Sequence, residues 1–117
     1  DTAKYIASLF QTSLTAAIIQ CVAVAEKACA AVVTVNGIVR YYKPSASWRY
    51  VIPVGRTIDK RTVAAHLDME TIEETGKVTA LAWTTMDRLV PGAELVENSI
   101  YLSSYNRTLT ILRAIGP

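Results

Sequence analysis

Residues 5–25, YIASLFQTSLTAAIIQCVAVA, hold no charge in 21 positions. Within and just beyond them Ile6, Phe10, Leu14, Ala17, Ile18, Cys21, Val22, Ala25 and Cys29 recur at three- and four-residue steps. That spacing draws one stripe along an α-helix and predicts a mainly helical segment over residues 1–30. The β-branched density of AIIQCVAVA is a competing strand signal at its end. The stretch is long enough for a membrane span. Ser8, Gln11, Thr12, Ser13, Thr15 and Gln20 interrupt it, however, which makes a packed amphipathic helix the better expectation.

After Ala30 the period changes to two. Val32–Val35 and Ile38–Tyr42 flank Asn36-Gly37, a pair that accepts the positive φ angles of a type I′ turn and predicts a two-residue hairpin. Trp48, Tyr50, Ile52 and Val54 alternate with Arg49, Val51 and Pro53, as in a strand at a sheet edge or one ending at the proline. Val63, Ala65, Leu67 and Met69 alternate with more polar neighbours, so a strand is preferred there, although Thr57 before Ile58-Asp59-Lys60 is also a helix start. Residues 73–76, Glu-Glu-Thr-Gly, then read as a turn into a strand over 78–86, and Pro91-Gly92 as a loop. Ile100–Leu102 and Leu109–Leu112 around Asn106-Arg107 predict a second hairpin.

These elements add up to a single α+β domain over residues 1–117. An N-terminal helix packs on a mostly antiparallel sheet or sandwich of about seven short strands in the β-rich region 31–117. Such a helix-then-sheet order occurs in pilin-like subunits, in cone-shaped ligand-binding folds and in small viral or phage coat proteins. The pilin comparison fails at the residues, since position five is Tyr5 rather than an acid, and no site transfers from any of these folds.

Composition adds a constraint. Fifty-one per cent of the 117 residues are hydrophobic and nineteen per cent charged. A chain this short buries roughly two-thirds of its unfolded surface, so a partner surface is expected, and a second copy is the commonest partner. Sixteen alanines lower the core volume that this percentage implies. The chain opens on Asp1, and its first residues lack the basic, apolar, small-residue order of a signal peptide.

The net charge of +2 hides a split. Between residues 36 and 62 stand Arg40, Lys43, Arg49, Arg56, Lys60 and Arg61 against Asp59 alone, a net +5. Between 64 and 98 stand Asp68, Glu70, Glu73, Glu74, Asp87, Glu94 and Glu97 against Lys77 and Arg88, a net −5. The basic segment could neutralise the phosphates of RNA or DNA, with Tyr41, Tyr42, Trp48 and Tyr50 offering rings for base stacking. Alternatively, the basic segment of one copy meets the acidic segment of the next in a head-to-tail assembly. Ordinary solvated faces are the bland alternative.

Catalytic signals are poor, so no catalytic residue, metal or cofactor is expected. The single histidine, in His66-Leu67-Asp68-Met69-Glu70, would share a strand face with Asp68 and Glu70, but three successive residues of one face spread wider than a coordination sphere. Ser103 and Ser104 lack a glycine elbow. Each of the five glycines stands alone, so no phosphate loop exists. Cys21 and Cys29, eight positions apart, would lie about 12 Å apart on one helix, beyond disulfide reach. Asn106-Arg107-Thr108 is a glycosylation triplet of the kind that chance often produces. The leading expectation is a non-enzymatic, self-assembling structural subunit of coat or filament type. The alternative is a small ligand-binding domain or enzyme with a pocket between helix and sheet, which requires His66 and an acid to point inward together.

Overall fold

The computed structural model describes residues 2–85 and 92–115, and all their side chains except those of Lys4, Ala7, Ser8 and Ser104. The architecture is α+β: one helix and one five-stranded antiparallel sheet. Helix α1 spans Thr2–Ala23, followed by β1 (Cys29–Val35), β2 (Ile38–Pro44), β3 (Glu73–Thr79), β4 (Glu94–Leu102) and β5 (Arg107–Ala114). The strand order is β2-β1-β5-β4-β3, so β2 and β3 are the edges.

Both expected hairpins form. Asn36 and Gly37 take φ of 53° and 75°, the left-handed pair that a type I′ turn needs, between β1 and β2. Tyr105 and Asn106 take φ of 60° and 50° between β4 and β5, and the Asn36 amide donates to the Asn106 carbonyl, tying the two turns together.

The register assigns the two faces. Val32, Leu112, Leu95 and Val78 look to one side, where irregular chain carrying Trp48, Ile52, Ala64 and Trp83 covers them and closes the main core. Val33, Leu109 and Leu102 look to the other side, where Ile18 of α1 packs on them. The helix lies over β1 and β2 and touches the 3₁₀ turn Ser104–Asn106.

Several expectations need correction. Among the described residues there is one sheet of five strands, and neither seven strands nor a sandwich is seen there. Residues 48–54 form no strand: Trp48 and Ile52 point inward while the backbone crosses the sheet irregularly. Residues 62–70 hold only the 3₁₀ turn Ala64–His66, neither the preferred strand nor a longer helix. Glu73–Gly76 belongs to β3 rather than to a turn, and β3 ends at Thr79 before a second 3₁₀ turn, Ala80–Ala82. Met86, Asp87, Arg88 and Pro91, invoked above in a strand, in the charge split and in a loop, lie outside the described residues.

Candidate functional site

Helix α1 has two apolar sides. At 3.6 residues per turn, Gln11, Leu14, Thr15, Ile18, Ile19 and Val22 fall within one arc, and all are buried or half-buried. The opposite arc holds Tyr5, Ile6, Leu9, Phe10, Ser13, Ala16, Ala17, Gln20 and Cys21, and all are exposed. Tyr5, Ile6 and Phe10 keep 65%, 60% and 68% of their surface open. A globular surface helix ordinarily carries charge on its outer side, and this one carries none over residues 5–23. No helix among the described residues is long and apolar enough to cross a membrane, as expected.

Charge is distributed between the sheet edges. Arg40 and Lys43 are exposed on edge strand β2, with Arg40 at a bulge in the pairing to β1. Residues 55–57 lie along the start of that edge: the Val39 amide donates to the Arg56 carbonyl and the Gly55 amide to the Val39 carbonyl. Exposed Arg56 therefore joins Arg40 and Lys43 at this side, and Arg49 and Lys60 are also exposed. Arg61 is held by Asp59 through two side-chain bonds of 3.0 Å. The Arg61 guanidinium and backbone amide hold the Asp59 carboxyl down at about 2. On the opposite edge, β3 exposes Glu73, Glu74 and Lys77, and exposed Asp68 and Glu70 lie just before it.

The aromatic residues near the basic segment divide. Trp48 is buried and stands edge-to-face with half-buried Tyr50 at 5.2 Å, and Tyr42 packs against the same core. Edge packing of this kind stabilises a core and leaves little ring face for a base. Tyr41, by contrast, is exposed on β2.

The His66, Asp68 and Glu70 set does not share a strand face. His66 is exposed, and its Nε2 donates to the Lys60 carbonyl at 2.8 Å, which fixes the proton on that nitrogen. Asp68 accepts from the backbone amides of Thr71 and Glu70, which lower its carboxyl below the usual range and close a local turn. Among the described residues no group of three metal-ligating side chains converges. Cys21 and Cys29 are both free thiols, and Cys29 opens β1 rather than continuing the helix. The interior between α1 and the sheet is filled by Ile18, Val33, Ile100, Leu102 and Leu109.

Glu97, one of the seven acids of the 64–98 segment, is fully buried. Oε1 of Glu97 accepts from the Val63 amide at 2.9 Å and from Trp83 Nε1 at 2.8 Å. Oε2 accepts from the Ala64 amide at 2.7 Å and from Ser99 Oγ at 2.6 Å, and Ser99 in turn meets Thr110 Oγ1 at 2.6 Å. Four donors on two oxygens leave no lone pair directed at a substrate, so Glu97 fastens the 62–64 turn and Trp83 to the sheet. Gly76, opposite Glu97 on β3, makes room: a Cβ there would lie 3.3 Å from Val63 Cγ2. Alternation along β4 carried the signal, because Leu95, Glu97 and Ser99 share one face and leucine settles which face is inside.

No protein-family model matches the chain, and no curated protein matches it either.

Proposed function

We propose that the chain is a non-enzymatic structural subunit, of coat or filament type, that assembles from copies of itself. The supporting observation is the uncharged outer face of α1, where Tyr5, Ile6, Leu9 and Phe10 stand open to solvent. Clustered exposure of large apolar side chains at one site is what a partner surface covers. Arg40, Lys43 and Arg56 at the β2 edge and Glu73 and Glu74 on the β3 edge add a complementarity that a head-to-tail contact would use. The test is the native mass by light scattering across a range of concentrations. A particle many times 12.8 kDa supports the reading, and a monomer at millimolar concentration refutes it.

A second reading within the first assigns nucleic acid to the basic segment. It is favoured by the exposure of Arg40, Lys43, Arg49, Arg56, Lys60 and Arg61 together with Tyr41. Arg61 is the weakest of the six because Asp59 already occupies it. If the other five neutralise phosphates of a single strand, log K falls with log salt at a slope of roughly −3.5. Excess absorbance at 260 nm in the purified particle, with that slope, supports the reading, and salt-insensitive binding rejects it.

A further inference from the structure

We infer that the outer face of α1 binds the same face of α1 in a second copy, antiparallel, with the two helices crossing at Ser13. This inference rests on the self-assembly reading above and names its contact. Large exposed side chains occupy the first half of the face: Tyr5, Ile6, Leu9 and Phe10. Ser13, Ala16, Ala17, Gln20 and Cys21 occupy the second, and all are exposed. An isologous antiparallel pair centred on Ser13 sets Phe10 against Ala16, Leu9 against Ala17, Ile6 against Gln20 and Tyr5 against Cys21. Large meets smaller at each of these levels, as close packing requires. A parallel pair instead meets Phe10 with Phe10 and Ala17 with Ala17, wedging one end apart and leaving a gap at the other.

Electrostatics permit the contact, because residues 5–25 contain no charge to repel or desolvate. Opposed helix dipoles also favour the antiparallel sense. Size sets a limit. A face of about 20 residues is ~30 Å long and ~10 Å wide, so two of them bury roughly 600 Å², well under half of the roughly 1,600 Å² of a standard stable interface. The pair is therefore a weak dimer by itself, persistent only where a second contact, such as the sheet edges, reinforces it.

The experiment joins light scattering of the whole chain to cysteine cross-linking. Ser13→Cys in a Cys21→Ser background brings two thiols together at the crossing point and, on mild oxidation, should give a covalent dimer in high yield. The wild-type chain, with Cys21 facing Tyr5, should not cross-link through Cys21. Phe10→Lys should weaken association at least tenfold with an unchanged circular dichroism melt, since Phe10 makes little contact within its own chain. An assembly that cross-links through Cys21, that leaves the Ser13→Cys variant unlinked, or that ignores Phe10→Lys overturns the antiparallel contact while leaving self-assembly standing. A monomer at every concentration overturns both.

Discussion

Glu97→Ala isolates what the buried carboxylate does. The substitution strands the amides of Val63 and Ala64 and the indole N–H of Trp83, while Ser99 can turn wholly to Thr110. A buried donor without a partner costs about 1–3 kcal/mol. Three of them, partly relieved by water entering the space of the lost side chain, come to about 3–6 kcal/mol. Small domains have only ~5–15 kcal/mol in total, so Glu97→Ala should remove a large share of the stability. Glu97→Gln is the informative partner. Its amide oxygen still serves two donors and its NH₂ can donate to Ser99 Oγ, leaving mainly the Ala64 amide orphaned, for about 2–3 kcal/mol. The assay is urea unfolding followed by tryptophan fluorescence, which Trp83 reports locally. With a slope near ~1.2 kcal/mol/M for this length, Glu97→Gln should lower the midpoint by roughly 2 M. A Glu97→Ala protein within about 1 kcal/mol of the parent, or less harmed than Glu97→Gln, would refute the assignment of Glu97 as the pin of the 62–64 turn.

The remaining predictions are smaller. Trp83→Phe removes a donor to Glu97 whereas Trp48→Phe removes an indole N–H with no partner among the described residues, so at matched loss of volume Trp83→Phe should cost about 1 kcal/mol more by urea midpoint. Gly37→Ala places a Cβ at φ of 75° in the tight turn and should cost about 1 kcal/mol or more, measured by thermal unfolding, with no new clash since nothing lies within 4 Å of that Cβ. The Asp59 carboxyl is depressed from 3.8 to about 2. Its contribution is present in full above the unfolded value and disappears as pH falls toward the folded one. Because Arg61 is exposed and Asp59 partly so, solvent screens the pair, and Asp59→Asn should remove no more than about 1 kcal/mol at neutral pH and flatten only that acidic window.

Local turn chemistry made both hairpins legible, because Asn36-Gly37 and Asn106 occupy backbone angles that few other residues accept. The helix was legible from its stripe, but its second apolar side was not, since a stripe picks out the packed residues and says little about the rest. Alternation misled at residues 48–54 and 62–70. It reports which side chains are half-buried, and irregular chain crossing a sheet face satisfies that pattern without forming a ladder. The reverse error occurred at Glu73–Gly76. Two acids, a threonine and a glycine have turn-like composition, but pairing with β4 overrides propensity, and charge suits an exposed edge strand. Of the candidate site residues, the six cations are all exposed. Glu97 belongs to the acidic segment by composition, and alternation with Leu95 and Ser99 along β4 turns it inward.

The distribution of charge bears on what kind of assembly copies of this chain would build under the proposed self-association. Five strands about 4.8 Å apart set the basic edge roughly 19 Å from the acidic one. The Debye length in physiological salt is about 8 Å, so the two edges barely compensate each other within one chain, and each is open to its opposite on a neighbour. That contact would be heterologous and would propagate, whereas the α1 pair would be isologous and would close on itself. Combining one of each links closed dimers into an extended lattice, which neither contact achieves alone at its modest area. The two contacts also answer to different perturbations. High salt should separate edges and leave mostly monomers, with helix-paired dimers only at high concentration, whereas Phe10→Lys should separate helices and leave short head-to-tail chains at low salt. Sedimentation of both species under the two conditions distinguishes this two-contact lattice from a nonspecific aggregate, which would show no such intermediate sizes.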